Sequence, residues 1–485
     1  MRDFDPIAGL LERLSRQPDG EAVIGADASL TVTELWDSAT RFAQLLRADG
    51  IVPGAAVGVS VPPLLQPVFA VAIWILGAIG AVAPQAAGGE LASVLDRLVT
   101  GVPRTGFPPE RQIIVDITWL ARAGALPSAE FAPVARDRAE IVRLVFSSGT
   151  TGAPKAIPFT VDEIRERVER GRGFWMHPRP FLAILGLGTV SGSATFFSDL
   201  DEGSPYLVAG TADENVRLLA ATGAGSVHAS PVQLSELLTA ARRRTQSLPQ
   251  LRFMQSAGSP LPDELARRLG DYFDAQVEII YGSTEVGGIT IRRGPAIMPG
   301  DVGEIQPFAT VEVLDEGGQP RTDDEEGIIR IRRPHQAHQA FRGAPGDADV
   351  FRDGWFVPGD IGRIVGGRLV LRGRRDDLIN AAGIKVDPER IEERAMRHPG
   401  VTDAVAVGVE DARGVAAVAL AVVADRSVEL PALRAALRDE LGDAAPRVLE
   451  RIDAVPRTEN GKIRRAEVAA ALRERLGRGW ELSEI

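Results

Sequence analysis

Apolar positions along this chain come in short runs separated by helical patterns. Ala22–Val23–Ile24 and Val57–Val61 read as strands, and Thr33–Leu46 between them carries the spacing of an amphipathic helix. The long apolar stretch Val68–Ala83, stopped by Pro84, reads as one buried helix. Such alternation predicts an α/β protein with a largely parallel sheet. Residues 84–140, rich in Gly, Pro and Ala, carry weak signals. Past residue 300 the texture changes to short strands, Val311–Leu314, Gly327–Ile331 and Arg368–Leu371, separated by Gly/Asp turns. These predict a small antiparallel barrel or sheet attached to the α/β layers. From 376 onward a β-rich run (Val405–Val409, Val415–Val423) and helices over 388–397 and 431–441 predict a small α+β unit. A boundary at Arg375–Asp376 gives two domains, 1–375 and 376–485.

Composition narrows the classes. A chain of 485 residues exceeds one ordinary core, which agrees with two or more domains. The net charge of -11 argues against broad nucleic-acid binding. With no cysteine there is no disulfide, no thiolate nucleophile and no cysteine metal site. Of the five histidines, His335 and His338 are the closest pair, in a polar, Arg-rich stretch expected to face solvent. Met1–Pro6 lacks the apolar region of a secretory signal. The longest apolar run, of about sixteen residues, falls short of the ~20 a membrane span requires. A cytoplasmic location is therefore expected.

The chemistry begins at Ser147-Ser148-Gly149-Thr150-Thr151-Gly152-Ala153-Pro154-Lys155, just after the apolar run Ile141–Phe146. Small side chains, hydroxyl donors, outward backbone N–H groups and a lysine suit a polyphosphate. The spacing is not that of the common nucleotide loop, because Gly-Lys-Ser/Thr is missing. Further on, Tyr281-Gly282-Ser283-Thr284-Glu285 follows the apolar run Val277–Ile280, at the strand end where open α/β sheets bind ligands. There a tyrosine can stack on a base, a threonine can donate to phosphate and a glutamate can hold Mg²⁺. Asp360, in Gly354–Asp360, is a carboxylate able to accept from both ribose hydroxyls. Arg374 follows in Gly373–Asp377, and Lys462 closes Pro456–Lys462 on a Gly-containing loop.

This ordered set, from about Leu30 to Arg465, resembles the adenylate-forming superfamily: acyl- and aryl-CoA ligases, acyl-carrier-protein ligases, adenylation domains and luciferases. The resemblance implies that Ser147–Thr151 and Lys155 close over the β- and γ-phosphates of ATP. It implies that Tyr281 stacks on adenine, Thr284 contacts the α-phosphate and Glu285 binds Mg²⁺. Ser256-Ala257-Gly258 would border adenine and acyl group, Asp360 and Arg374 would hold the ribose, and Lys462 would bridge substrate carboxylate and α-phosphate. Asp376 matches the hinge about which a mobile C-terminal domain turns between half-reactions, presenting residues 380–386 in the second. The function so implied is a two-step acid–thiol ligase. The acceptor thiol must come from outside a cysteine-free chain: coenzyme A, or the phosphopantetheine of an acyl carrier protein. Arg451, Arg457, Arg464 and Arg465 form a basic cluster that could dock such an acidic partner, or equally contact AMP or solvent.

Three positions depart from the family pattern: Ala156 after the loop lysine, Pro358 before Gly359-Asp360, and Asn380 where many members carry lysine. The segment Leu185–Gly192 lacks both the histidine of many CoA ligases and the aspartate of amino-acid-activating domains. An ammonium there would have no counter-charge, which disfavours amino acids. A small aryl or acyl carboxylic acid is expected, with Phe174 and Trp175 as a candidate aromatic wall. The alternatives are a stand-alone amino-acid adenylation domain and a non-catalytic AMP-binding module. A dinucleotide fingerprint is mimicked by Gly186-x-Gly188-x-x-x-Gly192, but the following Ser-Ala-Thr-Phe-Phe-Ser-Asp reads as a poor helix.

Overall fold

The computed structural model describes residues 5–84, 89–128, 134, 136–148, 154–170, 179–343, 347–375, 377–381, 384–410, 416–457 and 463–476. One six-stranded sheet runs in the order Gln112–Ile114, Arg97–Thr100, Ala56–Ser60, Ile79–Val82, Ile141–Ser148, Pro154–Thr160. All its pairings are parallel except the last, an antiparallel hairpin. The helix Val32–Ala48 packs against the helix Gln66–Ile75, which lies on this sheet; Thr31 and Glu34 cap it reciprocally, so its first N–H groups are met at the start.

The stretch expected as one buried helix is a helix, Gln66–Ile75, followed by a strand, Ile79–Val82. Gly77, at φ +74°, ends the helix in a left-handed conformation that costs glycine little. An all-apolar window cannot reveal such a switch of period.

A second sheet has twelve strands. Phe181–Ala183, Ser226–Ala229, Phe253–Ala257 and Gln276–Ser283 are parallel. Gly287–Arg293, Asp301–Ile305, Arg368–Arg374 and Asp360–Val365 then continue it antiparallel. The β-rich region just after 300 is thus an extension of this sheet, and among the described residues no closed barrel forms. A helix does follow the Gly186–Gly192 segment: Val190–Glu202, with Thr189 accepting from Gly192 N and Phe196 and Phe197 buried. Packing of those rings overrides the poor propensity of Ser, Gly and Thr.

The C-terminal part is a three-stranded sheet, Val401–Glu410, Ala416–Ala424 and Val448–Arg451, with helices Pro388–Met396, Leu430–Leu441 and Arg465–Leu476. Its two apolar clusters draw only on residues from 379 onward, so this small domain has its own core. Within it Arg465 pairs with the buried Glu392, whose carboxylate also accepts from Ala406 N at 2.8 Å.

Candidate active site

The segment Tyr281–Glu285 builds the centre of the site. Gln276–Ser283 runs parallel to Phe253–Ala257 and hairpins through Thr284–Val286 into Gly287–Arg293. Gly282 is required here: a Cβ would lie 2.1 Å from the Gly287 carbonyl oxygen. The turn is supported from behind, where Arg333 donates to the Val286 carbonyl and pairs with Glu166 at 2.7 Å. Ala337 N donates to the Glu285 carbonyl at 3.1 Å. Arg167, stacked 4.5 Å over the Phe159 ring, reaches the His335 carbonyl, and burial draws its pKa down to about 9. Sequence reasoning missed Arg333, Glu166 and Arg167, since no local pattern links segments so far apart.

Tyr281, Asp360 and Arg374 come together. The Tyr281 hydroxyl donates to Asp360 Oδ2, and Arg374 Nε lies 3.4 Å from Asp360 Oδ1. Asp360 and Arg374 are direct cross-strand partners, and Arg374 also donates to the Pro358 carbonyl at 2.7 Å. Burial, then the neighbouring Asp360 charge, holds the Tyr281 phenol well above its usual pKa, so it stays a donor.

All three line one cleft of about 2750 Å³, with Thr284, Glu285, Ala257 and Gly258. Among the described residues Ser283 Oγ, at the cleft, and Ser256 Oγ, buried just behind its lining, have no hydrogen-bond partner, so Ser283 keeps polar capacity for a ligand. Ser147 pairs across its hairpin with Lys155, and Ser148 with Pro154. Gly149, Thr150, Thr151 and Gly152 lie outside the described residues, as do Phe174 and Trp175. Lys155 Nζ lies 3.7 Å from Asp347.

Small-domain residues share the cleft, among them Asp387, Glu389, Glu392 and Arg465. Burial first, then the neighbouring carboxylates, pushes Asp387 up to about 6 and Glu389 up to about 7. Asp376 and Lys462 lie outside the described residues; Arg457 and Ile463, on either side of 458–462, pair as an antiparallel bridge. The basic cluster read as a possible docking face is engaged within its own domain. Arg457 holds Asp403 at 2.8 Å, Arg464 holds Glu467 at 2.7 Å, Arg465 holds Glu392, and Arg451 donates to the Val428 carbonyl at 2.6 Å. His335 and His338 are exposed, and among the described residues no group of three His, Asp or Glu could hold a metal ion. Mg²⁺ suits a single carboxylate with phosphate oxygens and water, so Glu285 at the turn fits that ion as bound with ATP.

Two family models match the chain: AMP-binding enzyme over residues 10–340 and AMP-binding enzyme C-terminal domain over 390–462. The chain belongs to the AMP-binding enzyme family, within the adenylate-forming superfamily its motifs resemble, and by class it is an AMP-forming acid–thiol ligase. It is similar to a feruloyl-CoA synthase of an Amycolatopsis species, 28% identical over 94% of this chain and 97% of that one. A 3-hydroxybenzoate/4-hydroxybenzoate–CoA ligase of Thauera aromatica is 29% identical over 80% and 76%. In fold it is similar to the anthranilate CoA ligase AuaEII with anthranoyl-AMP, at a TM-score of 0.84 and 19% identity over 98% of both chains. ATP-bound MatB from Rhodopseudomonas palustris gives 0.82 at 21% identity, over 97% of this chain and 99% of that one.

Proposed function

We propose that this chain joins a small aromatic carboxylic acid to coenzyme A through an aryl-adenylate. The observation that carries the reading is the Tyr281–Asp360–Arg374 constellation opening on the same cleft as Thr284 and Glu285. Asp360, held by Tyr281 and Arg374, presents carboxylate oxygens to the ribose hydroxyls. Thr284 donates to the α-phosphate, and Ser147–Thr151 with Lys155 hold the β- and γ-phosphates. Mg²⁺ bound at Glu285 supplies charge neutralisation to the triphosphate. Lys462 draws the acid carboxylate and the α-phosphate together, two anions that repel in its absence. The site thereby contributes position and electrostatics. The carboxylate oxygen attacks the α-phosphorus and pyrophosphate leaves; a thiolate then attacks the acyl carbon and AMP leaves. In this reading the small domain turns about Asp376 between the two steps.

Coenzyme A is favoured as the acceptor because the relatives above are CoA ligases and the arginines that could greet a carrier protein are engaged internally. An aromatic acid is favoured by the same relatives and by the small residues Ala257, Gly258, Gly282 and Gly288 lining the cleft. The test is pyrophosphate release with ATP across benzoates, cinnamates, fatty acids and amino acids, with and without coenzyme A. Release with an aromatic acid and thioester formation on adding coenzyme A are expected. Release confined to amino or fatty acids, or an adenylate that coenzyme A leaves intact, would overturn the proposal.

A further inference from the structure

His228 has no part in the reaction above, yet it stands in the same cleft. It lies near the C-terminal end of the strand Ser226–Ala229, opposite Ala183 on one side and Gln255 on the other. That edge of a parallel sheet is where ligands gather. The side chain is 7% exposed, and Phe181 meets its ring edge-on at 6.4 Å. Nε2 is covered and, among the described residues, has no hydrogen-bond partner.

Among the described residues no charged side chain moves its titration; burial draws its pKa down to about 4, so the ring is neutral at pH 7. A neutral imidazole offers one N–H donor and one lone pair. Leaving such a group buried and unmade is unfavourable, and a hydroxyl on the bound acid, able to donate or accept, relieves it whichever tautomer is present. An alkyl or unsubstituted ring edge does not. A second carboxylate at this place would lose water without gaining a counter-charge.

Resting on the reading of the cleft as an aromatic-acid pocket, we propose that His228 selects acids bearing an uncharged ring hydroxyl, which hydrogen-bonds to its Nε2. The groups match in kind: a nitrogen without a described partner and a hydroxyl, with the small residues Ala257, Gly258, Gly282 and Gly288 lining the same cleft.

The test compares kcat/KM for pyrophosphate release in matched pairs, benzoate against 3- and 4-hydroxybenzoate and cinnamate against 4-hydroxycinnamate. The native chain is expected to favour one hydroxylated member by about tenfold or more, since a site built for a hydroxyl rejects the analogue lacking it. His228→Phe is expected to bring that ratio to about one, and His228→Gln, which keeps a polar partner, to restore part of it. A ratio near one in the native chain, or one unchanged in His228→Phe, overturns the assignment. A second readout does not need turnover. The chain has five histidines, so the His228 imidazole resonances can be assigned in an NMR spectrum by their loss in His228→Gln. The hydroxylated acid should shift its ring nitrogens and the parent acid should not. A hydroxylated acid that raises the melting temperature without moving those signals overturns the role of His228 while leaving the ligase reading intact. Absence of binding by every aromatic acid overturns both.

Discussion

The phenol of Tyr281 donates to the carboxylate of Asp360 across 79 positions of sequence, tying the last parallel strand of the twelve-stranded sheet to its antiparallel extension. Asp360 is thereby aimed from two sides, by Tyr281 and by Arg374.

Tyr281→Phe removes the donor and keeps the ring. One hydrogen bond to a charged group contributes about 1.5–3 kcal/mol. KM for ATP should therefore rise about tenfold or more, with a smaller loss in kcat, because Arg374 still holds the carboxylate. Steady-state pyrophosphate release at varied ATP measures this. An unchanged KM would detach the tyrosine hydroxyl from ribose positioning.

Gly282→Ala tests the hairpin itself. The added methyl would meet the Gly287 carbonyl oxygen at 2.1 Å and the Gly288 Cα at 2.7 Å, both backbone atoms that cannot step aside. Adenylate formation should fall by at least about a hundredfold as Thr284 and Glu285 lose register, since a misplacement of about 1 Å can cost that much. Gly101→Ala, where a Cβ meets nothing within 4 Å, is the matched control and should be silent. Equal activities in the two variants would mean that the turn tolerates being rebuilt.

What was legible in the sequence was what repeats locally. The Tyr281–Glu285 pentapeptide, the Asp360 and Arg374 positions and five of the twelve described strands after 300 were readable because each is a short pattern with its own turn chemistry. Val68–Ala83 was misread because helix and strand there are both wholly apolar and only Gly77 separates them. Val190–Glu202 was set aside as non-helical because its stability comes from burying Phe196 and Phe197 rather than from propensity. Arg333 behind the active turn and His228 beside the cleft gave no signal at all. A buried arginine and a buried histidine acquire meaning only from neighbours brought in by the fold.

Asp387 and Glu389 make the small domain sensitive to pH. Each faces the other, with Glu392, Arg465 and, for Glu389, Asp360 nearby. Their folded pKa values, about 6 and about 7, lie above those of the unfolded chain. The folded state then binds more protons, so stability falls as pH rises from about 4 through 7. Glu389→Gln removes one of these charges. It should raise the melting temperature at pH 8, by something on the order of 1 kcal/mol of stability once water at the cleft edge is counted, and do nothing at pH 4. Calorimetry at several pH values checks this; a variant less stable at pH 8 would reverse the sign and place the ionised carboxylate in a favourable contact.

Lys462 supplies the test of the two-step reading. Its proposed work is confined to the first step, where a carboxylate must approach an anionic phosphorus centre; in the second step the thiolate attacks a neutral acyl carbon. Losing one preorganised electrostatic contact costs about 10²–10³ in rate. Lys462→Ala should lower adenylate formation by that factor while leaving transfer from chemically prepared aryl-adenylate to coenzyme A within about twofold of the native rate. Single-turnover assays of the two half-reactions separate them. If both fall together, the lysine serves the fold or both chemistries at once, and a small domain that turns to exchange one set of groups for another is no longer supported.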